Sequence, residues 1–206
     1  MEHLARHDRV MARLTRQVGP CTLKPEPRRT PYHSLVRAVA HQQLNGTAAA
    51  TILRRFQGLF PARRFPRPED VAAASDEALR SAGLSGAKVA AIRDITARVL
   101  SGEIPGSRTM RGMSDEEVVE RLTAARGVGR WTAEMLLMFQ LGRPDVLPAD
   151  DYGVRTGFRI AYGWDELPRP RELLAFGERW RPHRTVASWY LWRAVDLAKQ
   201  AQKGVA

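Results

Sequence analysis

The chain has 206 residues, with 33 Lys and Arg against 22 Asp and Glu, a formal charge of +11. That balance favours polyanionic partners, and the single cysteine, Cys21, excludes an intrachain disulfide framework and a cysteine-ligated iron–sulfur cluster. No apolar run approaches a membrane span and the charged start has no signal-peptide core, so the expected setting is the reducing cytoplasm.

The apolar spacing is helical from end to end, without sustained alternation. His3 and His7 stand at i, i+4 in a terminal stretch expected to fray, with no third ligand to complete a metal site. Thr30-Pro31 pairs an N-cap with proline at the first helical position and predicts a helix to about Gln43, with Leu35, Val36, Val39 and Ala40 on its apolar face. Asn45-Gly46 breaks it, and Thr47 starts a second helix to about Phe56. After the proline-rich loop 61–68 come short helices over about 69–74 and 76–81, the latter capped by Ser75. Ser85 caps a longer helix to about Leu100, striped by Val89, Ile92, Ile95 and Val99, and 102–112 reads as loop.

Ser114 and Glu117 form a capping box for the next helix, whose stripe is Val118, Leu122 and Ala125. Gly127-Val128-Gly129 turns the chain into a partner helix over about 130–141, ended by Gly142-Arg143-Pro144. Glycines in such a turn let a ligand approach the backbone, and the unpaired N–H groups of the following helix start suit a phosphate. Val128 plugs the seam between the two helices. Two aspartates, Asp150 and Asp151, then open a helix to about Tyr162, closed by Gly163. Pro170 and Pro182 open the last two helices, giving an all-α chain of about ten.

The stretch from Leu122 to Phe158 resembles the helix-hairpin-helix–GPD superfamily of DNA glycosylases. Within it, Gly-Val-Gly-Arg-Trp-Thr-Ala (127–133) and Leu-Pro-Ala-Asp-Asp-Tyr (147–152) are similar to the AlkA-type 3-methyladenine DNA glycosylase II branch. The stretches 36–49, 79–97 and 180–184, and Trp192, extend the likeness over roughly 30–195. The resemblance implies two helical lobes with a DNA-binding cleft between them. One lobe, about 31–145, contains the hairpin; the other is about 1–30 plus 146–206. It is expected to be the short form, without the N-terminal mixed lobe of some relatives.

By resemblance, Asp151 is the catalytic carboxylate, and Asp150 is expected to cap the following helix. Trp131, Tyr152, Trp192 and Met135 are the implied substrate pocket; some relatives carry tyrosine at the position of Met135. Gln43, Leu44, Arg126, Gly127, Val128, Gly129 and Thr132 are the implied DNA contacts, with Leu44 as an inserted wedge. The family usually has proline where this chain has Arg126. Hairpin carbonyls of Ala124 and Gly127 are implied as oxygens for a structural monovalent cation, and no other cofactor is expected.

An N-glycosylase must stabilise an oxocarbenium-like sugar, which a carboxylate does economically. Lyases of the superfamily use an amine two residues past the second hairpin glycine; that position is Trp131 here, and no lysine lies between Lys88 and Lys199. The expectation is therefore a monofunctional enzyme, acting as a monomer on double-stranded DNA. Its substrates would be alkylated, cationic purines such as 3-methyladenine and 7-methylguanine, attracted to an aromatic face by cation–π interaction. Two alternatives are hydrolytic removal of deaminated or etheno bases, and a non-catalytic hairpin that only clamps DNA.

Overall fold

The structure, a computed structural model, describes residues 2–26 and 28–203. Among the described residues every regular element is helical, thirteen α-helices in all, and no helix is long and apolar enough to cross a membrane. The chain divides into two compact units, one of Glu26–Leu136 and one built from residues up to Pro25 together with those from Leu137 onward.

The Glu26–Leu136 unit contains α3 (Pro31–His41), α4 (Gly46–Gly58), α5 (Pro68–Ala73), α6 (Asp76–Ser81), α7 (Gly86–Leu100), α8 (Ser107–Met110), α9 (Asp115–Thr123) and α10 (Arg130–Leu136). Its start signals are local: Thr30, Ser75, Ser85 and Ser114 cap helices as expected, and Asn45, read as a break, is itself the cap of α4, which begins at Gly46 and not Thr47; each accepts a hydrogen bond from a first-turn backbone N–H. Leu35, Val36, Val39 and Ala40 bury one face of α3 against α7, whose Val89, Ile92 and Ile95 are buried in turn, while Val99 is only half-buried. Tyr32 on α3 and Thr96 on α7 share a buried hydrogen bond of 3.0 Å. Arg93 on α7 donates to the carbonyls of Val71 and Ala72, satisfying the last turn of α5, and pairs with Asp76.

The second unit contains α1 (Glu2–His7), α2 (Arg9–Val18), α11 (Tyr152–Tyr162), α12 (Pro170–Gly177) and α13 (Arg184–Lys203). The N-terminal stretch does not fray. Leu4, Met11 and Leu14 are buried in a core with Phe158, Leu173, Trp180 and Tyr190. Asp8 anchors it: Oδ1 accepts from the N–H groups of Val10 and Met11, and Oδ2 accepts from the Trp180 indole at 3.0 Å and the Tyr162 hydroxyl at 2.5 Å. Burial, and then the Asp8 carboxylate, push the Tyr162 phenol well above its ordinary range. The His3 and His7 rings stack at 4.3 Å, and no group of three metal-ligating side chains is found among the described residues.

Other boundaries move. Loop 102–112 contains α8, held by the buried Met110. Helix α3 stops at His41, not Gln43. The helix expected over 130–141 is α-helical only to Leu136 and continues as a π turn over Leu137–Leu141, in which Leu137, Met138 and Gln140 are buried. The last helix begins at Arg184, after a cis Arg181–Pro182 bond, not at Pro182.

Candidate active site

The hairpin lies in the Glu26–Leu136 unit. α9 ends at Thr123 with Ala124 as its C-cap, and the Val128 N–H closes a turn on the Ala125 carbonyl at 3.1 Å. Val128 is 6% exposed and occupies the seam as its sequence position predicts. Gly127 has φ of +76°, and a Cβ there would lie 3.1 Å from Cβ of Ala91, so this glycine is required by the fold. Gly129 is different: a Cβ there would meet nothing within 4 Å, and its φ is not positive. The free protein has no steric use for glycine at 129.

Two side chains distant in sequence pin the turn. The Asp94 carboxylate on α7 accepts from the Arg126 N–H at 2.8 Å and also from Arg98. These donors, the Arg126 N–H foremost, hold its pKa below the usual carboxylate value. A proline at 126 would have no N–H to offer, so arginine here exchanges ring stiffness for this hydrogen bond, while its side chain is exposed. Gln42 donates its side-chain N–H to the Gly127 carbonyl at 2.7 Å. That donor occupies one of the two lone pairs of the Gly127 carbonyl oxygen. Arg130 forms a bidentate pair with Glu116 and a further one with Glu134, joining α10 to the start of α9.

Gln42 belongs to the loop between α3 and α4. The next residue, Gln43, has φ of +58°, the only non-glycine positive φ among the described residues. Such a conformation costs about 1–2 kcal/mol and tends to be retained where the site needs it. It sits beside Leu44, which is 40% exposed and therefore not a core residue. Asn45 then caps α4 through the Ala48 N–H. Behind the loop, Lys88 donates to the Ala40 carbonyl at 2.9 Å, and Nε2 of His41 is buried without a hydrogen-bond partner. Burial, then Arg37 and Lys88, lower the His41 pKa and keep the ring neutral. Trp131 on α10 is 47% exposed, Met135 is half-buried and Thr132 is buried.

The carboxylate lies in the other unit. The loop that delivers it, residues 142–151, is clamped to the start of α13. Arg184 pairs with Asp145, and the Thr185 hydroxyl accepts from Val146 N–H while donating to the Arg143 carbonyl. Val146 to Ala149 are all buried, Asp150 is exposed and Asp151 is half-buried. Asp151, not Asp150, is the N-cap of α11: its Oδ1 accepts from the Val154 N–H at 2.7 Å. The same Oδ1 accepts from the Trp192 indole N–H at 2.8 Å. These two hydrogen bonds, with the exposure of Asp150, distinguish the adjacent carboxylates. Phe139, in the π turn, stacks on the Trp192 ring with centroids 5.9 Å apart. Tyr152 is 71% exposed.

Residue spacing did not single out Gln42, Asp94 or Phe139. Phe139 had a signal, since Trp131, Met135 and Phe139 recur every fourth residue; the other two act through partners with no sequence proximity.

A family model described as HhH-GPD superfamily base excision DNA repair protein matches residues 36–182. The chain belongs to this superfamily. DNA-3-methyladenine glycosylase 1 of Schizosaccharomyces pombe is 39% identical over 199 residues, covering 95% of this chain and 86% of that protein. Among solved structures, this HhH-GPD protein is similar to the Schizosaccharomyces pombe 3-methyladenine DNA glycosylase in complex with abasic DNA, at a TM-score of 0.82 and 93% coverage of each chain. It is also similar to DNA-3-methyladenine glycosidase from Bacillus halodurans, with TM-score 0.86, 37% identity, and 96% and 89% of the two chains covered.

Proposed function

We propose that this HhH-GPD protein is a monofunctional DNA glycosylase of base excision repair. It would hydrolyse the N-glycosidic bond of alkylated, cationic purines such as 3-methyladenine and 7-methylguanine in double-stranded DNA, leaving an abasic site. The reading is supported by near-full-length similarity to proteins named for this activity. The observation that carries it is Asp151, whose carboxylate receives an indole N–H in addition to the backbone N–H that a capping role would need.

The backbone of the Gly127–Gly129 turn takes a DNA phosphate, and Leu44 enters the stack beside the extruded nucleotide. As the base leaves with the bonding electron pair, C1′ becomes oxocarbenium-like, and the ionised Asp151 stabilises that charge. Water adds its oxygen to C1′ and gives up a proton to the solvent. A base that starts as a cation leaves neutral, so no general acid is needed. Trp131 and Tyr152 offer exposed aromatic faces for the cationic ring. With no lysine between Lys88 and Lys199, the hairpin offers no lysine amine for a Schiff base. The protein works as a monomer near the nucleoid, since one lesion needs one site and the charge is +11.

Asp151→Asn is the test, because asparagine caps a helix as well as aspartate does and so separates charge from fold. Wild type should release free methylpurine from alkylated duplex, with strand breaks only after alkali. The variant should lose about 10³-fold or more in rate, as expected on losing the main electrostatic stabiliser, while binding DNA normally. Undiminished release by the variant would overturn the assignment. Release of hypoxanthine or ethenoadenine in preference to methylpurines would move the substrate class.

A further inference from the structure

Trp192 and Gly153 carry more than the family likeness assigns to them. Gly153 is the second residue of α11 and its φ is not positive, so the backbone does not require glycine. In a helix glycine costs about 1 kcal/mol relative to alanine. Space explains it: a Cβ at 153 would lie 2.9 Å from Cδ1 and 3.0 Å from Nε1 of Trp192, and 3.1 Å from Oδ1 of Asp151. The missing methyl group is where the indole passes to reach the carboxylate.

Trp192 cannot retreat from that approach. One helical turn on, at Gly157, a Cβ would overlap the Leu191 carbonyl oxygen at 1.9 Å, so α13 lies against the backbone of α11 immediately before Trp192. Phe139 stacks against the indole ring. Gly153 and Gly157, spaced i, i+4, thus set the height of α13 on α11, and that height delivers the indole N–H to Asp151 Oδ1 at 2.8 Å.

We propose that Trp192 is a positioning residue, not a wall of the base pocket: its indole N–H and the Val154 N–H together set the plane of the Asp151 carboxylate, and Gly153 keeps the path open. This rests on Asp151 being the group that stabilises the cationic sugar. It assigns Trp192 a different role from Trp131 and Tyr152, and it makes Gly153 a determinant of catalysis without substrate contact.

The experiment compares wild type, Asp151→Asn, Trp192→Phe and Gly153→Ala, each confirmed folded by circular dichroism. The probes are duplexes bearing a cationic pyrrolidine or a neutral tetrahydrofuran abasic analogue. Wild type should prefer the cationic probe. Trp192→Phe keeps a stacking ring without the N–H, and Gly153→Ala keeps both partners but separates them. Each should reduce the preference about 10-fold or more, the scale of one hydrogen bond to a charged group, with tetrahydrofuran affinity within about twofold of wild type. Single-turnover excision should fall in step, without change in the enzyme concentration giving half the maximal rate. A Trp192→Phe enzyme with wild-type preference, or one weakened equally on both probes, would overturn the proposal and return Trp192 to the pocket wall. If Asp151→Asn itself keeps the preference, the underlying assignment of Asp151 fails instead.

Discussion

Gly127 and Gly129 stand two positions apart in one turn and answer to different demands. Gly127 is held at positive φ against Ala91, so its replacement acts on the folded protein. Gly129 has open space around it, and under the proposed function the demand for glycine there would come from an approaching DNA phosphate. Gly127→Ala should destabilise the protein by about 1–2 kcal/mol, from left-handed strain and the contact with Ala91. Gly129→Ala should leave the thermal midpoint unchanged and weaken duplex binding about 10-fold or more, the cost of crowding a charged phosphate contact. Thermal melts alongside fluorescence anisotropy would check both, and a Gly129→Ala protein that binds normally would remove the turn from the interface. The same residue-level distinction separates Asp150, exposed before α11, from Asp151, which caps it.

Between elements, the informative contacts join segments that each looked self-sufficient. The α3–α4 loop and the hairpin are fastened by Gln42, and α7 is fastened to the same turn by Asp94. Under the proposed function, phosphate capture at the turn and base extrusion at Leu44 would share one support. Gln42→Ala removes a single side-chain hydrogen bond and should cost about 1 kcal/mol of stability. Its functional signature should be selective. Affinity for undamaged duplex stays near wild type, while the fluorescence gain of a 2-aminopurine placed beside the lesion falls. A full fluorescence gain in the variant would show that the loop holds its position without Gln42. The π turn after α10 belongs to this level too. It places Phe139 against Trp192, a contact that a continuous α-helical register did not predict.

Two half-buried imidazoles contribute a pH dependence to the whole molecule. His33 stacks on Phe65 with centroids 3.6 Å apart, and burial, then Arg29 and Arg37, lower its pKa from 6.5 to about 4. The folded form therefore holds a neutral ring that the unfolded chain protonates first. This contribution is complete above pH 6.5, declines as pH falls towards 4, and is exhausted below that, once the folded form also takes the proton. His41 acts in the same direction. His33→Phe should flatten the thermal midpoint by a few degrees across that window; an unchanged slope would place the acid sensitivity elsewhere. A charge of +11 adds self-repulsion, which a polyanion relieves, so duplex DNA should raise the midpoint at low salt.

Local chemistry was legible in the residue order. Caps at Thr30, Ser75, Ser85 and Ser114, the left-handed Gly163, the buried stripes of α3 and α9 and the plug at Val128 all act within a few residues of themselves. So were the helix-hairpin-helix pattern and the missing lysine, which bear on chemistry through residue type and spacing alone. Tertiary structure decided what depends on partners far along the chain. Trp192 meets Asp151 across 41 positions and Gln42 meets Gly127 across 85, and no periodicity encodes either. The N-terminal helices are ordered because Asp8 finds Tyr162 and Trp180, more than 150 residues away. A carboxylate can be recognised in a sequence, but the donors that aim it are supplied only when separate helices pack.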